Sequence, residues 1–176
     1  MSTITNDSLN FLLSRRSIRV YAPRAVDEAE ITQILKAAMA APSAVAKDPW
    51  RFVVVRQPEK LSAMAAALPN GQMLATAPLG ILVCGDLDAA HDHQLSYLLQ
   101  DCSAAIENLL LGAHALGLGA CWLGVHPRED RVRKLRDILG LPESVIPISG
   151  IAIGRPGEEK EARTRFNGNY VHWDKW

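Results

Sequence analysis

The chain reads as one layered domain of sheet and helix, and three observations predict this. Apolar runs of strand length alternate along it with stretches of helical periodicity. No internal repeat, low-complexity segment or interdomain linker interrupts the alternation, so a single domain over residues 1–176 is expected. Hydrophobic residues make up 48% and charged residues 22% of the chain, enough apolar side chain for a sizeable core.

Taken in order, residues 7–14 place Leu9, Leu12 and Leu13 on one side of a short helix, with Asp7 or Ser8 as its cap. Tyr21-Ala22-Pro23 breaks that pattern. Asp27-Glu28-Ala29-Glu30 opens like a capping box, and Ile31, Ile34, Leu35 and Ala38 follow at helical spacing, which predicts an amphipathic helix over 28–40. The next connection is stiffened by Pro42 and Pro49. Residues 51–55, RFVVV, form a buried strand, and residues 58–67, led by Pro58, an alanine-rich helix. A turn at 69–71 and a second apolar strand at 78–84 follow.

His91-Asp92-His93 offers metal-binding side chains without a supporting ligand cluster, so a solvated helix entry is expected there and no metal. Residues 95–116 are apolar on nearly every side, as in a helix central to the core or shared with a partner chain. Asp101, Glu107, Asn108 and His114 argue against a membrane span. Gly117-Leu118-Gly119 ends this helix. Residues 120–125 make a third strand, in which Gly124 permits close approach to the backbone. A charged amphipathic helix at 128–139 precedes a fourth strand at 145–153, where Pro147 signals an edge or a bulge. From Gly154 the chain is polar yet carries Phe166, Tyr170, Trp173 and Trp176, so this tail is expected to pack on its own body or on a partner subunit.

Lys+Arg and Asp+Glu number 19 each, a balance that argues against a general nucleic-acid binder. The first ten residues hold no basic region followed by an apolar run, and no apolar run approaches the roughly 20 residues that span a bilayer. A cytoplasmic location without membrane contact is expected. Cys84, Cys102 and Cys121, each in an apolar stretch, read as buried thiols.

The chemistry concentrates in Ser14-Arg15-Arg16-Ser17-Ile18-Arg19 and, near the other end, Arg163-Thr164-Arg165. Guanidinium groups are planar forks of donors that fit phosphate or carboxylate in a bidentate way. Apart, these segments are two solvated basic turns. Brought together by the fold, they make one anion site. The run from Gly117 to Gly124 is not GxGxxG and follows a helix, which disfavours a dinucleotide fingerprint.

RRSIRVY at 15–21, APSAVAKDPWRFVVV at 41–55, DCSAAIENLLLGAHALGLGACWLGV at 101–125 and RTRF at 163–166 occur in an order and spacing that resemble the nitroreductase family of FMN-dependent oxidoreductases. The resemblance runs from about residue 8 to the C-terminus. It implies an α+β fold, with a central, mostly antiparallel sheet flanked by helices, and an intertwined homodimer with FMN at the subunit interface. It also implies NAD(P)H as donor and ping-pong hydride transfer through flavin N5 to a small acceptor: a nitroaromatic, quinone, enone or flavin. By position, Arg15, Arg16 and Ser17 match residues that hold the FMN phosphate and ribityl chain, and Arg163 and Arg165 the basic pair that closes on the phosphate. Arg19 matches a basic position near the pyrimidine edge, where a cation stabilises the reduced flavin, and Asn70 an amide that pairs with that edge. Leu123 and Gly124 match the strand that approaches N5. Pro42, Ser43 and Ala44 match the loop that reaches the other subunit's FMN. No general acid or nucleophile is implied, and His114, His126 and His172 read as structural or exposed.

The family commonly shows PSxxNxQPW in the first loop, where this chain has Ala46 for the Asn and Asp48 for the Gln. Ala46 makes no side-chain hydrogen bond, and Asp48 brings an acceptor-only charge. These departures leave room for an FMN-binding sensor or carrier without NAD(P)H turnover. Flavin-fragmenting or dehalogenating relatives are a further option, although the compact chain has little room for their lid segments. A non-flavin interaction domain gripping another anion is the third class.

Overall fold

The computed structural model describes residues 6–176; the N-terminal reading above rests in part on residues 1–5, which lie outside this range. The helices are α1 (Asp7–Ser14), α2 (Glu28–Met39), α3 (Pro58–Ala67), α4 (Leu95–Ala115) and α5 (Glu129–Leu139). The strands are β1 (Trp50–Val55), β2 (Leu79–Asp86), β3 (Gly119–Gly124) and β4 (Val145–Gly154). The strands lie in the order β1-β2-β4-β3, and all three neighbouring pairs are antiparallel. This is the α+β arrangement expected.

Side chains alternate across a strand, so β2 serves two cores at once. Leu79, Ile81 and Val83 join Ile34, Ala38, Ile106 and Leu109 of α2 and α4 on one face. Leu82 and Cys84 join Leu61 and Met64 of α3 and Leu135 of α5 on the other. The result is three layers, with the sheet between two helix pairs. Burial on both faces is why β2 reads as an unbroken apolar run rather than an alternating one. The long helix α4 buries Leu98, Cys102, Ala105, Ile106, Leu109, Leu110 and Ala113 as one stripe, while Leu95 is exposed and Leu99 and Leu111 are only partly buried.

Three local expectations are corrected. β1 is an edge strand with Arg51 and Val54 exposed, rather than a buried strand. The cap of α1 is Asn6, whose side-chain oxygen accepts from Ser8 N at 2.9 Å and Leu9 N at 3.3 Å, rather than Asp7 or Ser8. Pro147 lies on β4, which is interior and not an edge. Its register with β2 steps from Val83↔Ser149 to Cys84↔Pro147, so the bulge alternative holds. That irregularity breaks the ladder locally, which is where a residue without an N–H fits inside a sheet.

All three cysteines are free and buried. Burial pushes the Cys84 and Cys102 thiols up to about 12, so they stay protonated and packed. His91–His93 forms a short 3₁₀ turn ahead of α4. Among the described residues no helix is long and apolar enough to cross a membrane.

Candidate functional site

The arginine stretch is built onto the outer edge of β3. Ser17 bridges Ala120 in parallel, and Ile18 N donates to Ala120 O at 3.1 Å. Gly119 makes this approach possible: a Cβ there would lie 2.7 Å from Ile18 Cβ. Tyr21 Oη donates towards Ile18 O at 2.6 Å and Ala152 O at 3.1 Å, tying the stretch back to β4. Gly157 N donates to Val20 O at 2.8 Å and Ala22 N to Arg155 O at 2.9 Å. Residues 17–22 are thus sewn between β3 and the segment that leaves β4.

Glu158 completes the stitching. Its Oε1 accepts from Arg19 N at 2.6 Å and Val20 N at 3.3 Å, and meets Lys160 Nζ at 2.9 Å. Lys160 Nζ also donates to Ser17 O at 2.9 Å. The backbone bond from Arg19, then the bond from Lys160, hold the Glu158 carboxyl below its ordinary value. A carboxylate lowered in the folded state adds stability above its unfolded pKa, roughly 4.3, and loses it as pH falls through the folded value. Glu158→Gln is therefore expected to melt below wild type at neutral pH. In thermal melts from pH 7 to pH 3 the gap should narrow below about pH 4.3; a gap constant over that range would show that the charge contributes nothing.

The two basic segments come together. Arg15, Arg16 and Ser17 share a recess of about 360 Å³ with Arg163, Thr164 and Arg165. Arg15 Nε has Glu107 Oε1 at 3.4 Å. Among the described residues no carboxylate lies within 4.0 Å of Arg16, Arg163 or Arg165. Burial, then Arg163, Arg165 and Arg15, push the Arg16 guanidinium below its ordinary value. Arg16 Nε is buried without a partner. This is a positive cluster assembled from both ends of the chain, with Glu107 its one carboxylate among the described residues, the electrostatic condition for binding an anion. The α1 end that delivers it is held to α4: Ser14 Oγ is 2.9 Å from His114 Nε2, and the Phe11 and His114 rings stack at 5.0 Å. Burial, then Arg15, hold His114 below its ordinary value, favouring the neutral imidazole. Its role here is structural.

A second recess, of about 470 Å³, is lined by Arg19, Asn70, Gln72, Trp122, Leu123 and Gly124. It brings four of the sequence-assigned residues together. Backbone groups of alternate residues point to the same side of a strand. Ala120 O faces outward to Ile18, so the N–H groups of Trp122 and Gly124 face that same open edge. A Cβ at Gly124 would meet nothing within 4 Å, and its φ is not in the left-handed region. Neither packing nor conformation asks for glycine there.

Arg131 also lines this recess, its Nη1 donating to Gly124 O at 2.9 Å. Sequence reasoning missed it. RVRKLR reads as the solvated face of a charged helix, and no spacing rule links its first arginine to the end of β3.

Pro42, Ser43 and Ala44 line neither recess of their own chain. Ala44 N donates to Asp101 Oδ1 at 2.9 Å. Ser43 Oγ donates to Asp48 Oδ1 at 2.5 Å and accepts from Asp48 N at 3.0 Å. Val45, Ala46 and Asp48 have φ of 53°, 53° and 49°. Asparagine adopts that left-handed region more readily than alanine does, so Ala46 holds its place at a conformational cost.

Comparison with known proteins agrees with this fold. The profile of the Nitroreductase family matches residues 12–72 and 63–155. A protein from Archaeoglobus fulgidus named "Putative NADH dehydrogenase/NAD(P)H nitroreductase" is 46% identical over 173 residues, spanning 97% of this chain and 99% of its own. A crystal structure under that same name, from Parabacteroides distasonis ATCC 8503, superposes with a TM-score of 0.92 at 36% identity, covering 98% of this chain and 100% of its own. The structure of "a putative nitroreductase in complex with fmn" from Desulfovibrio desulfuricans superposes with a TM-score of 0.84 at 30% identity, covering 98% and 99%. With the family profile and a full-length relative both matching, this chain belongs to the nitroreductase family.

Proposed function

We propose that this protein is an FMN-dependent NAD(P)H oxidoreductase that passes hydride, in ping-pong order, to a small acceptor such as a nitroaromatic, quinone, enone or flavin. The observation that carries this reading is the net-positive arginine cluster joined to the edge of β3 by the Ser17–Ala120 bridge. The residues suit the cofactor. Arg16 Nε is buried and lacks an acceptor, as a guanidinium awaiting a phosphate would. A Cβ on Gly124 would meet nothing within 4 Å, so the backbone there is open to a bound ring. The Archaeoglobus fulgidus relative's name and the FMN complex of the Desulfovibrio desulfuricans protein point the same way.

Bound FMN supplies the two-electron chemistry, accepting hydride at N5 and releasing it to the acceptor. The chain's own residues bind, orient and tune. Arg15, Arg16, Ser17, Arg163 and Arg165 hold the phosphate. Arg19 and Asn70 meet the pyrimidine edge, and the Arg19 charge favours the reduced, anionic cofactor. The edge of β3 at Leu123 and Gly124 would lie near N5, with the outward N–H groups of Trp122 and Gly124 as its backbone donors. No side chain of this set acts as a nucleophile or general acid.

A homodimer, with one FMN at each interface site, accounts for what the single chain leaves bare. Phe166, Tyr170, Trp173 and Trp176 are 79–98% exposed, so the tail does not pack on its own body. Leu9, Leu12 and Leu13 of α1 are half exposed. Such apolar side chains belong against a second copy. Pro42, Ser43 and Ala44 then reach the partner's FMN rather than their own. On this reading residues 1–176 belong to one FMN-binding domain, cytoplasmic in location.

A flavin carrier without turnover is the second reading. It draws on Ser43, whose hydroxyl gives its hydrogen to Asp48 and so leaves no side-chain donor for a flavin. One experiment separates the readings. Purified protein should be yellow, elute as a dimer, and oxidise NADH or NADPH steadily when menadione is supplied. A yellow protein without turnover would select the carrier; a colourless one that takes up no added FMN would end both.

A further inference from the structure

Neither ion pairing nor helix electrostatics accounts for the position of Arg131. It stands in the first turn of α5, where the helix dipole is positive and a cation is disfavoured. Among the described residues it has no carboxylate within 4.0 Å, and its one side-chain hydrogen bond is Nη1 to Gly124 O. That bond uses one of five guanidinium donors. The recess it faces contains a second arginine, Arg19, and two amides, Asn70 and Gln72, but no aspartate or glutamate. The acidic neighbours Glu129 and Asp130 are exposed and do not line the recess. A fork tethered at one end to the β3 carbonyl, with its other donors free, is placed to read an anionic group on a molecule lying along that strand.

We propose that Arg131 is a specificity-determining residue that pairs with a phosphate, carboxylate or sulfonate on the second substrate, the molecule that occupies the recess after FMN. This rests on the FMN reading above. Arg19 is assigned to the cofactor, so Arg131 is the cation left for the exchanging partner. Its position on a helix start, rather than on a loop, holds the fork still as donor and acceptor alternate. The anion has two sources, the phosphates of the reduced nicotinamide or a charged acceptor.

The test compares wild type, Arg131→Met and Arg131→Lys in steady-state kinetics with two pairs of probes. The donor pair is NADPH or NADH against the neutral hydride donor 1-benzyl-1,4-dihydronicotinamide. The acceptor pair is 1,2-naphthoquinone-4-sulfonate against menadione. In at least one pair, Arg131→Met should raise KM for the charged probe by about ten- to a hundredfold, the loss expected for a charge-assisted bond, with kcat little changed. KM for its neutral counterpart should stay within about threefold, and Arg131→Lys should restore part of the preference. The pair that responds names the source. FMN affinity and melting temperature should match wild type. Equal KM rises for charged and neutral probes, no rise in either pair, or an FMN affinity lowered by about tenfold or more would each overturn the assignment. Failure of the FMN reading looks different: wild type itself would then bind no flavin or oxidise no donor.

Discussion

Replacing Arg163 and Arg165 together with alanine is expected to leave a folded protein that loses its flavin. Each guanidinium is assigned a charge-assisted bond to the phosphate, worth about 1.5–3 kcal/mol. The pair is then worth about 3–6 kcal/mol, or a factor of roughly 10² to 10⁴ in FMN affinity. The flavin-free fold should not suffer. Both arginines lie in the tail beyond β4, outside either core, and both push the Arg16 guanidinium below its ordinary value. Removing them relieves repulsion, so the melting temperature of the apoprotein should hold or rise. A functional cluster is expected to trade stability in this way. Riboflavin, which lacks the phosphate, provides the control. Fluorescence titration should show FMN binding collapsing while riboflavin binding stays as weak as before. An unchanged FMN affinity, or an equal loss for riboflavin, would remove the phosphate clamp from the site.

Features carried by local chemistry were legible in the sequence. Pro58 at a helix start and the alanines after it gave α3 its observed limits, Pro58–Ala67. The apolar run of β2 marked a strand and the apolar residues of α4 a core helix, but only the strand order puts β2 inside the sheet and β1 at its edge. What escaped depended on which segments pair. Pro147 is compatible with an edge or a bulge, and only the position of β4 between β2 and β3 decides. Tyr21 looked like a break in the pattern, yet its hydroxyl ties Ile18 to Ala152. Arg15 and Arg165 reveal nothing of their shared recess in the linear sequence; resemblance supplied that expectation. Arg131 had neither pattern nor resemblance behind it, because its meaning comes from a single bond to the carbonyl of Gly124. The loop from Pro42 to Ala44 marks the opposite limit. Its assigned role is legible by likeness, but a single chain gives it no ligand to meet.

Gly124→Ala is expected to separate fold from function more cleanly than any arginine variant. The added Cβ meets no atom within 4 Å, and the backbone is not left-handed. Glycine in a strand is the costlier residue, since it gives up more freedom on folding, so alanine should raise stability by about 0.4–1 kcal/mol. Binding should move the other way. If the isoalloxazine lies against this bare stretch of β3, a methyl group stands where the ring must approach, and Gly124→Val stands further in. FMN affinity should fall in the order Gly, Ala, Val, with turnover of the flavin-saturated enzyme falling alongside, because hydride transfer depends sharply on donor–acceptor placement. Arg131 also reports on this site. Its bond is to the carbonyl oxygen, which a Cβ does not remove, so a selective loss of charged-probe binding should not accompany the alanine variant. Thermal melts of the apoprotein and FMN titrations of the three proteins decide the matter. An alanine variant that melts lower than wild type would mean the glycine serves the fold. One that melts higher and binds FMN as wild type does would place the ring elsewhere than on the edge of β3.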